Sequence, residues 1–197
     1  AAAGPAEATW EGTISDDWSV AGNWDVNALP GWATSVIIPT GTCVIYSGAV
    51  QIKDFTALAS GTGDIHITVK NGATLNSLWN IDLGYVGDSN TVYFTVEQGA
   101  SATAGWMFNT RRPGETYTTV GGTITALGTT SDYGVDVSSA TIIDFTTTGK
   151  LIAKGDMVNS FNSWALPGNN VFRDRGIGAT DPSWGTTHGV LAAYDEV

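Results

Sequence analysis

A glycine-centred pattern recurs along this chain and leaves very few architectures open to it. Its clearest copy is Val69-Lys70-Asn71-Gly72-Ala73-Thr74-Leu75, with an apolar residue three before the glycine and another three after. Weaker copies are Ile38…Gly41…Val44, Val96…Gly99…Ala102, Thr118…Gly121…Ile124 and Thr146…Gly149…Ile152. The anchor glycines are 31, 27, 22 and 28 residues apart (72−41, 99−72, 121−99, 149−121). A period of roughly 20 to 30 residues belongs to stacked repeats, in which one unit cannot bury its own apolar face. Each copy is strand-like, so the unit reads as one coil of a parallel β-solenoid. Alternation in Ile65-His66-Ile67-Thr68-Val69 points the three aliphatic residues inward and His66 outward.

Composition agrees with strands joined by turns. The chain holds 25 glycines and 2 methionines in 197 residues, and 42% of it is hydrophobic, enough for one elongated core. Its formal net charge of −11 speaks against nucleic acid or an anionic membrane as a partner. No apolar run approaches the ~18 residues of a membrane span. With only 14% charged residues, much of the surface must be Thr, Ser, Asn and Gly. Cys43 has no second cysteine to pair with. Its place in the strand-like run Thr42–Tyr46 makes it a small buried side chain, rather than a reactive thiol or an intermolecular bridge.

Residues 1–8 are small and turn-prone and read as a flexible arm, able to lie along a neighbour as an added strand. Their opening, Ala1-Ala2-Ala3-Gly4-Pro5-Ala6, resembles a mature terminus left by small-residue cleavage, and so indicates export. Then come Thr9-Trp10-Glu11-Gly12, Asp16-Asp17-Trp18, Gly22-Asn23-Trp24, Leu29-Pro30-Gly31-Trp32 and Val36-Ile37-Ile38-Pro39. Residues 9–36 are expected to cap the first coil, with Trp10, Trp18 and Trp24 covering the end of the core. Asp16, Asp17 and Asn23 would make turns by bonding nearby backbone. The repeating coils are expected over 37–155. Residues 156–197, rich in Pro, Gly and Asn clusters and ending in Val190-Leu191-Ala192-Ala193-Tyr194, read as a loop-rich C-terminal cap with a final strand.

The order W-x-G, D-W, N-W, proline turn, I-I-P strand resembles the opening of secreted bacterial β-helix surface proteins of the autotransporter-passenger and planctomycete type. The run from Leu83-Gly84-Tyr85-Val86-Gly87-Asp88 into Tyr93–Ala100 is similar to their coils, in which a glycine turn leads into a V-x-x-G-A-x-L strand. The resemblance implies an all-β, right-handed, single-stranded parallel β-helix at the cell surface, and specifies fold far better than activity.

Candidate chemistry is sparse. Trp79 and Trp106 each lie seven residues after an anchor glycine, and equal offset in a solenoid means stacked position. Facing outward they would contact a sugar ring or another subunit. Facing inward they would fill a corner of the core, the commoner arrangement and the expectation here. Asp16-Asp17, Asp82 with Asp88, and Asp132 with Asp136 could supply oxygens to calcium, but none has a regular calcium-loop spacing, and solvated turn aspartates are expected. His66 and His188 lack a matched acid in sequence, no G-x-S-x-G occurs, and no His/Cys set has zinc spacing. Pectin-cleaving β-helices share the expected fold. Only a lone His-Gly and Arg173-Asp174-Arg175 resemble them, and their paired-aspartate motifs have no counterpart. Fold alone is no ground for activity.

The expectation is therefore a non-catalytic extracellular structural or adhesive protein. It would be the subunit of a filament or layer that grows by head-to-tail stacking of copies, with a carbohydrate-binding module as the alternative. The residues that would make assembly or glycan contacts are Ala1, Ala2, Ala3, Gly4, Pro5, Trp79, Trp106, Arg111 and Arg112, the last two being a basic pair in an acidic stretch.

Overall fold

The computed structural model describes residues 2–58, 63–84, 90–110, 116–128, 135–137, 141–146, 148–153, 171–174 and 190–193. Two strands, β1 (Glu7–Thr9) and β2 (Ser35–Ile38), precede the regular coils, with one 3-10 turn at Ala21–Asn23 between them. Four three-strand coils follow. They are β3 (Gly41–Ile45), β4 (Ala49–Ile52) and β5 (Asp54–Ala57); then β6 (Ile65–Val69), β7 (Thr74–Ser77) and β8 (Ile81–Leu83). Next are β9 (Val92–Val96), β10 (Ser101–Ala104) and β11 (Phe108–Thr110); then β12 (Thr116–Val120), β13 (Thr123–Ala126) and β14 (Val135–Val137). The chain continues through β15 (Thr141–Phe145), β16 (Lys150–Ala153), β17 (Val171–Asp174) and β18 (Val190–Ala193).

Strands at the same place in successive coils pair in parallel. Three six-stranded sheets result, ordered β3-β6-β9-β12-β15-β17, β4-β7-β10-β13-β16-β18 and β1-β2-β5-β8-β11-β14. This is an all-β parallel solenoid of about 5 turns, as the glycine-anchored period required. The last two strands carry two of the sheets past residue 155, where the sequence pattern stops. Most of the expected C-terminal cap lies outside the described residues.

The core is a set of columns. Ile65, Ile67 and Val69 are buried and His66 is exposed, in the alternation that the sequence predicts. Leu75, Ala102, Ile124 and Leu151 form one column of the second sheet, and Phe55, Ile81, Phe108 and Val135 one of the third. Gly72 and Gly99 turn the chain from the first sheet to the second with φ of 81° and 79°, a conformation that costs other L-residues steric strain. Two anchors are misplaced by the sequence pattern. Gly41 opens β3 in register with Ile65, and the matching turn residue is Gly48. Around Gly149 the buried column residue is Leu151, whereas Ile152 lies on the other side of the strand. The first five second-sheet strands begin at Ala49, Thr74, Ser101, Thr123 and Lys150, 25, 27, 22 and 27 residues apart (74−49, 101−74, 123−101, 150−123). The short step partly reflects a two-residue turn between Val120 and Thr123, where the coil before it uses four between Val96 and Ser101.

The leader is not a free arm. Trp32 and Ala33 donate backbone N–H to Ala2 and Ala3 O at 3.3 and 2.9 Å, Ser35 donates to Ala6 O, and β1 pairs with β2. The strand that could have reached a neighbour is used within the chain. Behind it, Trp10, Trp18 and Trp24 are buried at the end of the core, with Trp18 stacked on Phe55 at 6.5 Å. Cys43 is fully buried and free. Burial, with Asp16 and Asp17 nearby, pushes its thiol well above its ordinary range.

Candidate functional site

The corner between the second and third sheets is built from the three-residue loops after β7 and β10 and from Leu127 and Gly128 after β13. Backbone bonds lock successive coils together there: Trp79 N–H to Lys53 O, Trp106 N–H to Trp79 O and Gly128 N–H to Trp106 O, each 2.9 Å. Gly105 sits against Leu78, and a Cβ there would meet the Leu78 carbonyl oxygen at 2.2 Å, so only glycine allows the coils to close up. Asn80 braces the corner from below. Its Oδ1 accepts the Met107 N–H at 3.2 Å, and its own N–H donates to Asp54 Oδ1 at 3.0 Å. Burial raises the Asp54 carboxyl from its ordinary range, opposed by this bond and by the Phe55 N–H.

On this rigid frame stand four large apolar side chains: Trp79 at 52% exposure, Leu78 at 45%, Leu127 at 42% and Trp106 at 37%. Trp79 and Trp106 are stacked in adjacent coils, as their equal offsets predict, but they do not fill the core. They face outward because the inward places beside them are taken by Ser77, Ala104, Ile81 and Phe108. Their rings meet at 84° with centroids 6.2 Å apart, so they form a stepped ridge and not a flat platform. Leu78 and Leu127 were legible by the same device, since each lies six residues after an anchor glycine.

The other candidates are engaged elsewhere. Ala2, Ala3, Gly4 and Pro5 are docked on residues 31–35, with the Thr34 hydroxyl donating to Pro5 O at 2.5 Å. Ala1, Arg111 and Arg112 lie outside the described residues, as do Asp88, Asp132 and His188. His66 stacks on Tyr93 at 4.5 Å, and Tyr93 on Tyr117 at 5.2 Å, in an aromatic ladder on the outside of the first sheet. Asp16 accepts the Tyr46 hydroxyl, Asp17 caps Ser19, and Asp82 accepts from Asn109 Nδ2. Among the described residues no three His, Cys, Asp or Glu side chains gather in a way that could hold a metal ion. No helix among them is long and apolar enough to cross a membrane.

No family model, curated protein or solved structure matches the chain.

Proposed function

We propose that this chain is a non-catalytic structural or adhesive module of the cell exterior, and that it engages its partner sideways, through the corner ridge. The observation that carries the reading is the ridge itself: Leu78, Trp79, Trp106 and Leu127 stand exposed side by side on a backbone frame that gives them no way inward. Contiguous exposed apolar surface of this kind is typical of interaction sites. The extracellular setting rests on the resemblance of the Trp10–Ile38 block to secreted β-helix proteins. Self-assembly is the first form of the reading, with copies joined side to side into a layer. Head-to-tail growth is less well supported, since β1 and the tryptophan block occupy the first end.

A polysaccharide is the second form, favoured by the half-exposed indoles of Trp79 and Trp106. The test is the double variant Trp79→Ser, Trp106→Ser, compared with the parent by sedimentation at high concentration and on a glycan array. Loss of self-association or of glycan binding, with an unchanged melting temperature, supports the reading. A parent that stays monomeric and binds no glycan would sink it.

A further inference from the structure

At its first end the solenoid closes two sheets and leaves the third open. β1 covers β2. Asp17 bridges Val44 of β3, with Val44 N–H bonded to Asp16 O at 2.7 Å and Trp18 N–H to Val44 O at 2.9 Å. Nothing among the described residues pairs with the outer edge of β4, the end strand of the second sheet. Thr74 N–H bonds Gly48 O and Leu78 N–H bonds Ile52 O, so the even-numbered residues of β4 face β7. In a strand the N–H and C=O of one residue point the same way and alternate along the chain. Ala49 and Gln51 therefore present theirs outward. Lys53, next in that series, shows how such a group is satisfied: its N–H reaches Thr34 O at 2.9 Å.

The side chains tell the same story. Val50 is in register with Leu75, Ala102, Ile124 and Leu151, all fully buried, yet Val50 is only partly so. What it lacks is the apolar neighbour that another strand would bring. A groove of about 350 Å³ opens at this place, lined by Ala2, Trp18, Leu29, Pro30, Val50 and Gln51 among others.

We propose that this groove accepts one extended strand of another protein, which pairs with Ala49 and Gln51 and sets an apolar side chain over Val50. Strand addition to a free edge uses main-chain bonds for affinity and alternate side chains for specificity. A lone strand fits better than the end of a second copy. A whole coil would collide with the segments that already cover β2 and β3. Asp17 at the rim and the net charge of −11 select an uncharged or basic strand. The inference is independent of the ridge, which lies on a different part of the coil.

The experiment pans a phage-displayed library of random decapeptides on the intact chain and on Gln51→Pro. The proline removes an N–H that has no partner among the described residues, and proline is tolerated at such an edge position. Val50→Lys, which places a charge under the added strand, serves if the proline variant does not fold. Peptides enriched on the parent should alternate apolar and polar residues and carry no net negative charge. They should slow amide exchange at Ala49 and Gln51, and bind the variant about tenfold or more weakly. The double ridge variant should bind them as the parent does. Peptides that bind parent and variant alike, or no enrichment on the parent, overturn the proposal. So does a parent that self-associates until Gln51→Pro makes it monomeric, since the occupant is then a second copy.

Discussion

Two tryptophan clusters in this molecule use the same contact for opposite ends. In the first-end block, Trp24 meets Trp10 and Trp18 edge-to-face, with centroids 5.0 and 4.7 Å apart. On the corner ridge, Trp79 and Trp106 meet edge-to-face at 6.2 Å. The first three rings are at most 5% exposed, and the Trp24 Nε1–H is bonded to Trp18 O at 3.1 Å. The ridge pair is about half exposed. Ring geometry alone therefore does not tell a buried cluster from an exposed ridge. Whether the rings are covered, and whether a buried indole N–H finds an acceptor, does.

Truncation should break this comparison open, and the effects can be ranked. Trp24→Ala should cost about 3–5 kcal/mol in denaturant unfolding, since it empties the centre of the plug. A loss under ~1 kcal/mol would mean that the block is an appendage and not part of the core. Asn23→Ala comes next. Asn23 is fully buried, accepts the Ile14 and Ser15 N–H at 2.9 and 3.0 Å, and donates to Ser15 Oγ and Asp17 O. Leaving those buried groups unsatisfied should cost roughly 2 kcal/mol.

One coil beyond Trp106, the fourth coil carries Thr118 inside the core, its hydroxyl without a hydrogen-bond partner among the described residues. Thr118→Val should raise stability by about 1 kcal/mol, because it removes an unpaired polar group at nearly constant shape. A fall in melting temperature would reveal a bond to the hydroxyl. Trp79→Ala should then move stability by under ~1 kcal/mol, as expected of a surface substitution. A plug-sized loss there would make the ridge structural.

The smallest effect belongs to the partly exposed pair Lys70–Glu97, 2.7 Å apart. The Lys70 ammonium holds the Glu97 carboxyl below its usual range, and Glu97 raises Lys70. Their contribution is thus complete between the carboxylate and ammonium ranges. It is lost in acid as Glu97 protonates through its lowered value, and in alkali as Lys70 deprotonates through its raised one. Lys70→Met should flatten the acid side of a stability-against-pH curve slightly, and salt should reduce even that difference.

The sequence revealed periodicity better than direction. Equal offset from a glycine correctly stacked Trp79 on Trp106, because register in a parallel solenoid follows turn position. It could not say that they face outward, because that depends on which neighbours fill the corner. Gly41 was a false anchor for a similar reason: a glycine at the start of a strand and one in a turn look alike in one dimension. Asn23 reads in sequence as an ordinary turn former. That it is fully buried and ties Ile14, Ser15 and Asp17 together follows only once residues 14–17 have folded around it.

The parallel pairing that brings the coils into register also makes the molecule a ruler. Each coil advances the structure by about 4.8 Å, so Trp79 and Trp106 are consecutive marks on one scale, with Leu78 and Leu127 alongside. A ligand whose own repeat is close to that step meets equivalent atoms at every mark, and its weak contacts add. One with a different repeat finds a match at a single coil and slips off the next. Selectivity on such an edge would be a matter of pitch, set by the backbone, before any side chain discriminates.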